Sequence, residues 1–327
     1  MCVFCNQSKI TGKAEEECIS GIKNIIDSYL NTIPSENVVE VAFFGGSFTG
    51  IPFEKQMAYL KSVKEYIKSG QIRGIRISTR PDYISNEIVE YLKENGVTTI
   101  ELGVQSFDEI VMEKSKRGYT PESIYRACDI IKSKEISLGI QLMPGLPGAT
   151  FESDIKSGIE AANIKPDIAR IYPTLVISGT EMEEMYNKKE YTPLSMEESI
   201  KRTAVVMAEL ELSDIKVIRV GLQPSEDIRE DGVIVAGPFH PAYRELVEGE
   251  ILFNFIKKYS KDSKKVEAVV NLKDVSRLVG IKKRNIERLR LENIDFQYMT
   301  AESILQGEII LNGRLFKRKE ILKNILR

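Results

Sequence analysis

With 327 residues, 42% hydrophobic and 29% charged, the chain can bury one large core and a smaller module, and no apolar run approaches the roughly 18 residues of a membrane helix. Its start lacks the basic and apolar regions of a secretory signal, and four cysteines, Cys2, Cys5, Cys18 and Cys128, are too few and too scattered for a disulfide framework, so a cytoplasmic protein is expected. The formal charge of -2 hides a basic tail, 18 Lys and Arg against 9 Asp and Glu over residues 257–327, which points to a polyanion partner or, more plainly, to a solvated basic face.

In chain order, Cys2-Val3-Phe4-Cys5 comes first and a helix over 15–30 follows. Strands are expected over 39–44, 72–78, 98–104, 137–143 and 168–173, with a weaker one over 215–220. Helices over 53–68, 85–94, 121–134, 151–162 and 196–211 alternate with them. Short β-branched runs alternating with longer amphipathic ones are the pattern of βα units around a parallel sheet. The strand ends are rich in Gly, Ser, Thr and Pro, and parallel βα barrels collect their active sites at that edge. A helix precedes the first visible strand, so a strand is missing from the front. Residues 1–230 therefore read as one barrel, and 231–260 as a connector where the alternation stops. Residues 261–327 read as a small α+β domain: strand 266–271, helix 274–278, a turn at Val279-Gly280, helix 285–291 and strand 294–299.

Two thiols at the spacing of Cys2 and Cys5 can share a metal, and thiolates suit iron–sulfur clusters or zinc. Zinc would need two more ligands. The other cysteines fall on expected helices and the sole histidine is His240, so a structural zinc site is poorly supported. On spacing alone the pair also reads as two incidental cysteines near a terminus. His240 itself, in the connector, reads as structural before catalytic.

Further along, Gly45-Gly46-Ser47-Phe48 ends a strand where glycines let the backbone approach a ligand closely. Ile77-Ser78-Thr79-Arg80-Pro81-Asp82, Glu101-Leu102-Gly103-Val104-Gln105-Ser106 and Lys116-Arg117-Gly118-Tyr119-Thr120 follow in order. After them come Leu142-Met143-Pro144-Gly145-Leu146-Pro147-Gly148 and Ile171-Tyr172-Pro173-Thr174-Leu175-Val176-Ile177-Ser178-Gly179-Thr180. With Phe4-Cys5 this series resembles the radical S-adenosylmethionine (SAM) superfamily, in the branch that includes the catalytic subunit of the Elongator complex. The likeness runs from Cys2 to about Leu222.

The resemblance implies an α/β fold, a partial (βα)6 radical SAM barrel lacking its first strand, with the small C-terminal α+β domain appended. It implies an enzyme with a 4Fe–4S cluster held by Cys2 and Cys5, a third cysteine being expected four residues before Cys2 and so ahead of Met1. SAM would chelate the open iron and be cleaved to a 5′-deoxyadenosyl radical, with electrons from a donor such as ferredoxin or flavodoxin. The residues implied to hold SAM are Gly45, Gly46, Ser47, Thr79, Arg80, Gln105, Gln141, Ile171 and Tyr172. Ser78 stands where that branch has a glutamate. No R/Q-x-x-G-x-G/A turn follows Leu222, so acetyltransferase activity is not expected.

In the tail, Leu278-Val279-Gly280-Ile281-Lys282-Lys283-Arg284-Asn285-Ile286 is similar to the I-G-x-x-G-x-x-I turn of a KH RNA-binding module, with Lys283 in place of the second glycine. Gly280, Lys282, Lys283 and Arg284 are the expected RNA contacts. A helix-turn-helix and a solvated basic helix pair are alternatives. Three functions stay open: a radical SAM enzyme acting on RNA or tRNA, one acting on a small molecule as in coproporphyrinogen oxidase relatives, and a non-catalytic RNA-binding protein on the same fold.

Overall fold

The computed structural model describes residues 2–6, 19–34, 36–222, 232–261 and 263–326. Helix α1 (Ile19–Leu30) is followed by β1 (Glu40–Phe43), α2 (Phe53–Lys68), β2 (Gly74–Thr79), α3 (Asn86–Glu94) and β3 (Val97–Gln105). Then come α4 (Glu109–Lys114), α5 (Pro121–Ser133), β4 (Ser137–Leu142), α6 (Phe151–Ile164) and β5 (Ile168–Ile171). A two-residue strand β6 (Val176–Ile177), α7 (Glu181–Asn187), α8 (Met196–Leu212) and β7 (Lys216–Val220) complete the series. The main sheet has the order β1-β2-β3-β4-β5-β7, every neighbouring pair parallel. It curls into the α/β half-barrel that the alternating sequence pattern calls for.

Several helices start on a side-chain cap. Ser85, Asp108 and Ser195 each accept from the backbone N–H three residues on, and Thr150 with Ser153 forms a reciprocal capping box. Such caps satisfy donors the first turn cannot pair. They also fix where each loop turns at the rim.

Alternation along the strands sorts the two faces. Ile75, Ile77, Ile100, Leu102, Leu138, Ile140 and Ala169 are fully buried against the helices. The intervening residues face the concave side, where Glu101 is gripped from three strands. Arg170 donates to both of its oxygens at 2.6 and 3.0 Å, Arg76 at 3.1 Å and Gln141 at 3.3 Å. Room for this comes from Gly139, whose absent Cβ would sit 2.7 Å from the Glu101 Cγ.

After β8 (Ile234–Ala236), which pairs antiparallel with β6, residues Tyr243–Tyr259 form helix α9 within the stretch read as a connector. Most of its residues are buried, the mark of a helix enclosed between two layers. Next come β9 (Lys265–Val270), α10 (Val275–Val279), α11 (Arg284–Leu291), β10 (Asp295–Thr300), the hairpin β11 (Ile309–Leu311) and β12 (Arg314–Phe316), and α12 (Arg318–Lys323). Their sheet has the order β10-β9-β11-β12, with β9 and β10 parallel. One contiguous apolar core runs from Ile22 through the half-barrel and α9 to Leu322.

Candidate functional site

At the C-terminal ends of the strands lies a cavity of about 510 Å³. The segment Cys2–Asn6 closes one side of it, pinned by backbone bonds. Val3 donates to the Ser115 carbonyl at 3.3 Å, and its own carbonyl accepts from Met182 at 2.9 Å. Val3 is buried beside Val176, Met182 and Tyr191. Asn6 Nδ2 donates to the Gly179 carbonyl at 3.2 Å, and the Cys5 N–H closes a turn onto the Cys2 carbonyl at 3.1 Å. Both thiols thereby line the cavity.

Two guanidinium groups reach the first thiol: Arg117 Nη1 lies 3.1 Å and Arg80 Nη1 3.4 Å from the Cys2 Sγ. Asp82 holds Arg80 in a fork at 2.8 and 2.9 Å and raises its pKa further above the ordinary range. Tyr119 stacks between the two arginines, 5.2 Å from Arg80 and 5.0 Å from Arg117, and burial pushes its phenol up. This is a preorganised positive wall behind the Cys2 thiol.

Facing the thiols is the turn after β1. Gly45 adopts φ 107°, open to glycine at little cost, and a Cβ on Gly46 would meet nothing within 4 Å. Thr79 is fixed by a 2.5 Å bond to Thr49. At the end of β3, where the pairing with β4 slips, Gln105 has φ 71° and its buried Oε1 has no partner. A strained residue carrying an orphaned buried acceptor into a cavity is the signature of a ligand contact.

Of the residues singled out in sequence, Cys2, Cys5, Gly45, Gly46, Ser47, Thr79, Arg80, Gln105, Gln141 and Tyr172 line this one cavity. Ile171 does not; strand alternation turns it into the apolar core. Cys18 lies outside the described residues. Cys128 is buried in α5 with its thiol pushed up to about 12 by burial. His240 accepts from the Ala242 N–H at 3.0 Å and shapes a turn. Gly280, Lys282, Lys283 and Arg284 lie elsewhere, in the turn between α10 and α11. Arg117, Arg170 and Arg219 also line the cavity and were given no role in sequence. The signal available for the latter two was a lone arginine inside Ile168–Ile171 and Lys216–Val220, strands of a parallel sheet where charge has to be accommodated.

A parallel half-barrel that gathers a Cys-x-x-Cys loop, a glycine turn and an unsatisfied glutamine around one cavity at its strand ends has the layout of a ligand-binding α/β enzyme. The chain matches the Radical SAM superfamily over residues 1–157 and the Radical_SAM C-terminal domain over residues 166–252, and it belongs to that superfamily. It is 34% identical over 184 residues to a tRNA uridine(34) acetyltransferase of Methanocaldococcus jannaschii, covering 50% of this chain and 34% of that one. With Elongator complex protein 3 of Mus musculus it shares 30% over 194 residues, 53% of this chain and 36% of the other. The archaeal Elp3 of Methanocaldococcus infernus, lacking residues 1–46, superposes with a TM-score of 0.57 at 27% identity, over 75% of this chain and 57% of that one. The chain thus spans about a third of the length of these two curated relatives.

The cofactors of this superfamily are a 4Fe–4S cluster and SAM. The cradle at Gly45-Gly46 and the orphaned Gln105 acceptor fit the second. For the first, the described residues offer the Cys2 and Cys5 thiols; no group of three or more His, Cys, Asp or Glu among them is placed to hold a metal.

Proposed function

We propose that the half-barrel binds a 4Fe–4S cluster through Cys2 and Cys5 and SAM across Gly45, Gly46 and Gln105, cleaves SAM reductively, and acts on RNA. The observation that carries this reading is the convergence of the thiol pair, the glycine cradle and the orphaned glutamine on one cavity. When bound, the cofactor pair supplies a 5′-deoxyadenosyl radical for hydrogen abstraction. The chain's own residues do the rest. Arg80 and Arg117 meet the negative charge at sulfur, the pinned segment Cys2–Asn6 keeps the thiols in place, and Phe44, Met143, Leu175 and Leu222 among the lining residues keep water from a reactive species.

The RNA substrate is supported by the names of the relatives and by the turn between α10 and α11. There Gly280, Lys282 and Lys283 all have positive φ, 75°, 53° and 62°, so the glycine-like conformation persists with Lys283 in the glycine position. Lys282, Lys283 and Arg284 are exposed, where phosphate contacts are made. Protein expressed from the whole reading frame and reconstituted anaerobically with iron and sulfide should release 5′-deoxyadenosine on reduction with SAM. No cleavage with a fully formed cluster sinks the enzymatic part. Substituting alanine at 282, 283 and 284 together should weaken binding of single-stranded RNA at least tenfold and flatten its salt dependence; unchanged binding removes the RNA part.

A further inference from the structure

Among the described residues, four guanidinium groups line the cavity, from Arg80, Arg117, Arg170 and Arg219, and no carboxylate does. Three of these groups have partners. Arg80 is forked on Asp82, Arg117 is bonded to the Cys2 sulfur and the Tyr119 hydroxyl, and Arg170 is forked on Glu101. Arg219 forms no hydrogen bond, ion pair or ring contact among the described residues, although it is half-buried. It also stands directly opposite Arg170 in the β5–β7 register. Like charges facing each other across a sheet are destabilising, and a half-buried cation without a partner costs more. The cavity wall therefore carries a positive charge that nothing in the described chain offsets, beside Arg170 and the Tyr172 hydroxyl that bonds it at 3.1 Å.

We infer that Arg219 is a substrate-binding residue that takes an oxyanion, the phosphate of a nucleotide or the carboxylate of a small molecule, at the β7 side of the cavity. The inference deepens the proposed function, since it names the chemistry the substrate presents to the same cavity. Arg suits the role because its planar fork offers two parallel donors to an oxyanion.

The test is calorimetric titration of the full chain, without cluster, with uridine 5′-monophosphate, uridine and glutarate, comparing the parent with R219Q and R219K. The parent should bind the monophosphate at least tenfold more tightly than uridine; R219Q should lose that preference and, relieved of the like charge beside Arg170, unfold at no lower a temperature than the parent, and R219K should keep part of the preference. Arg219-dependent binding of glutarate but not the monophosphate keeps the anion site and removes RNA as its source. The triple alanine variant at 282–284 should bind the monophosphate as the parent does, which separates this site from the basic turn. Equal binding by parent and R219Q overturns the inference, as does an effect confined to SAM.

Discussion

At the scale of the residue, Gln105 is the point where folding and function pull apart. Its backbone sits at φ 71° and its side chain buries an acceptor that bonds to nothing. The two penalties are each on the order of 1 kcal/mol or more. Gln105→Gly removes both at the cost of about 1 kcal/mol in added freedom of the unfolded chain, so the variant should unfold at a higher temperature, by an amount equivalent to about 1 kcal/mol, while SAM affinity falls at least tenfold. Thermal melts and equilibrium dialysis with labelled SAM measure the two halves; a destabilised variant would show that Gln105 is held for packing. At this scale much of the site was legible. The glycine turn, Arg80, Gln105 and the thiol pair stand at strand ends with chemistry that apolar packing does not explain. Arg219 was not legible, because its meaning lies in the absence of a partner among the described residues, and the motif around Ile171 does not say which of two alternating faces a residue takes; the side chain lies on the core face.

At the scale of the element, the turn after β4 is held from below by Asp154 on α6. Its carboxylate accepts from the Gly145 N–H at 3.1 Å and from Arg202 Nη1 at 2.8 Å. Gly145 has φ 86°, and a Cβ there would strike Leu194 at 2.7 Å, so the turn has one conformation to hold. Burial nonetheless raises the Asp154 carboxyl to about 6, against the opposing pull of Arg202. Between pH 6 and pH 4 the folded state then binds a proton that the unfolded chain does not. This group's contribution to stability consequently grows as pH falls through 6 towards 4, and is flat above 6. Asp154→Asn abolishes it: the stability difference between parent and variant should shift in the parent's favour by up to ~3 kcal/mol between pH 7 and pH 4. Urea unfolding across that range checks the slope, and a parallel pair of curves would refute the assignment. The helices and strands around this turn were read from hydrophobic period with end errors of a residue or two, as with 53–68 and 196–211. What period missed was α9, whose apolar residues fall on most faces and so give no stripe, and β11 with β12, too short to show alternation.

At the scale of the whole molecule, the core that starts under α1 continues through α8 and α9 into the second sheet without a break, and a polar clasp closes it. Arg318 of α12 donates to Glu211 of α8 at 2.9 Å and to Glu248 of α9 at 2.7 Å, tying three helices across the two sheets. Glu248 is 5% exposed and Arg318 27% at the side chain, so the pair is neither fully dry nor solvent-screened. Removing one partner of a fully buried pair costs about 3–5 kcal/mol because the other's charge stays in a poor medium; here Arg244 remains within 3.9 Å of Glu211 and 3.8 Å of Glu248. With that second cation at hand and Arg318 partly wet, Arg318→Ala should cost about 1–2 kcal/mol. Replacing Arg318 by Met and Glu248 by Leu together should cost less than R318A alone, because the more buried carboxylate leaves with the arginine while Glu211 keeps Arg244 at 3.9 Å. Because the core is shared, the loss should appear as a shift of a single unfolding transition, with far-ultraviolet circular dichroism and tyrosine fluorescence moving together. Two separated transitions in R318A would mean that the second sheet unfolds by itself and that the continuous core does not couple it to the half-barrel. Coupling matters to function as proposed, since a basic turn that presents RNA can place it only if α9, packed against both sheets, holds the turn at a fixed distance from the cavity.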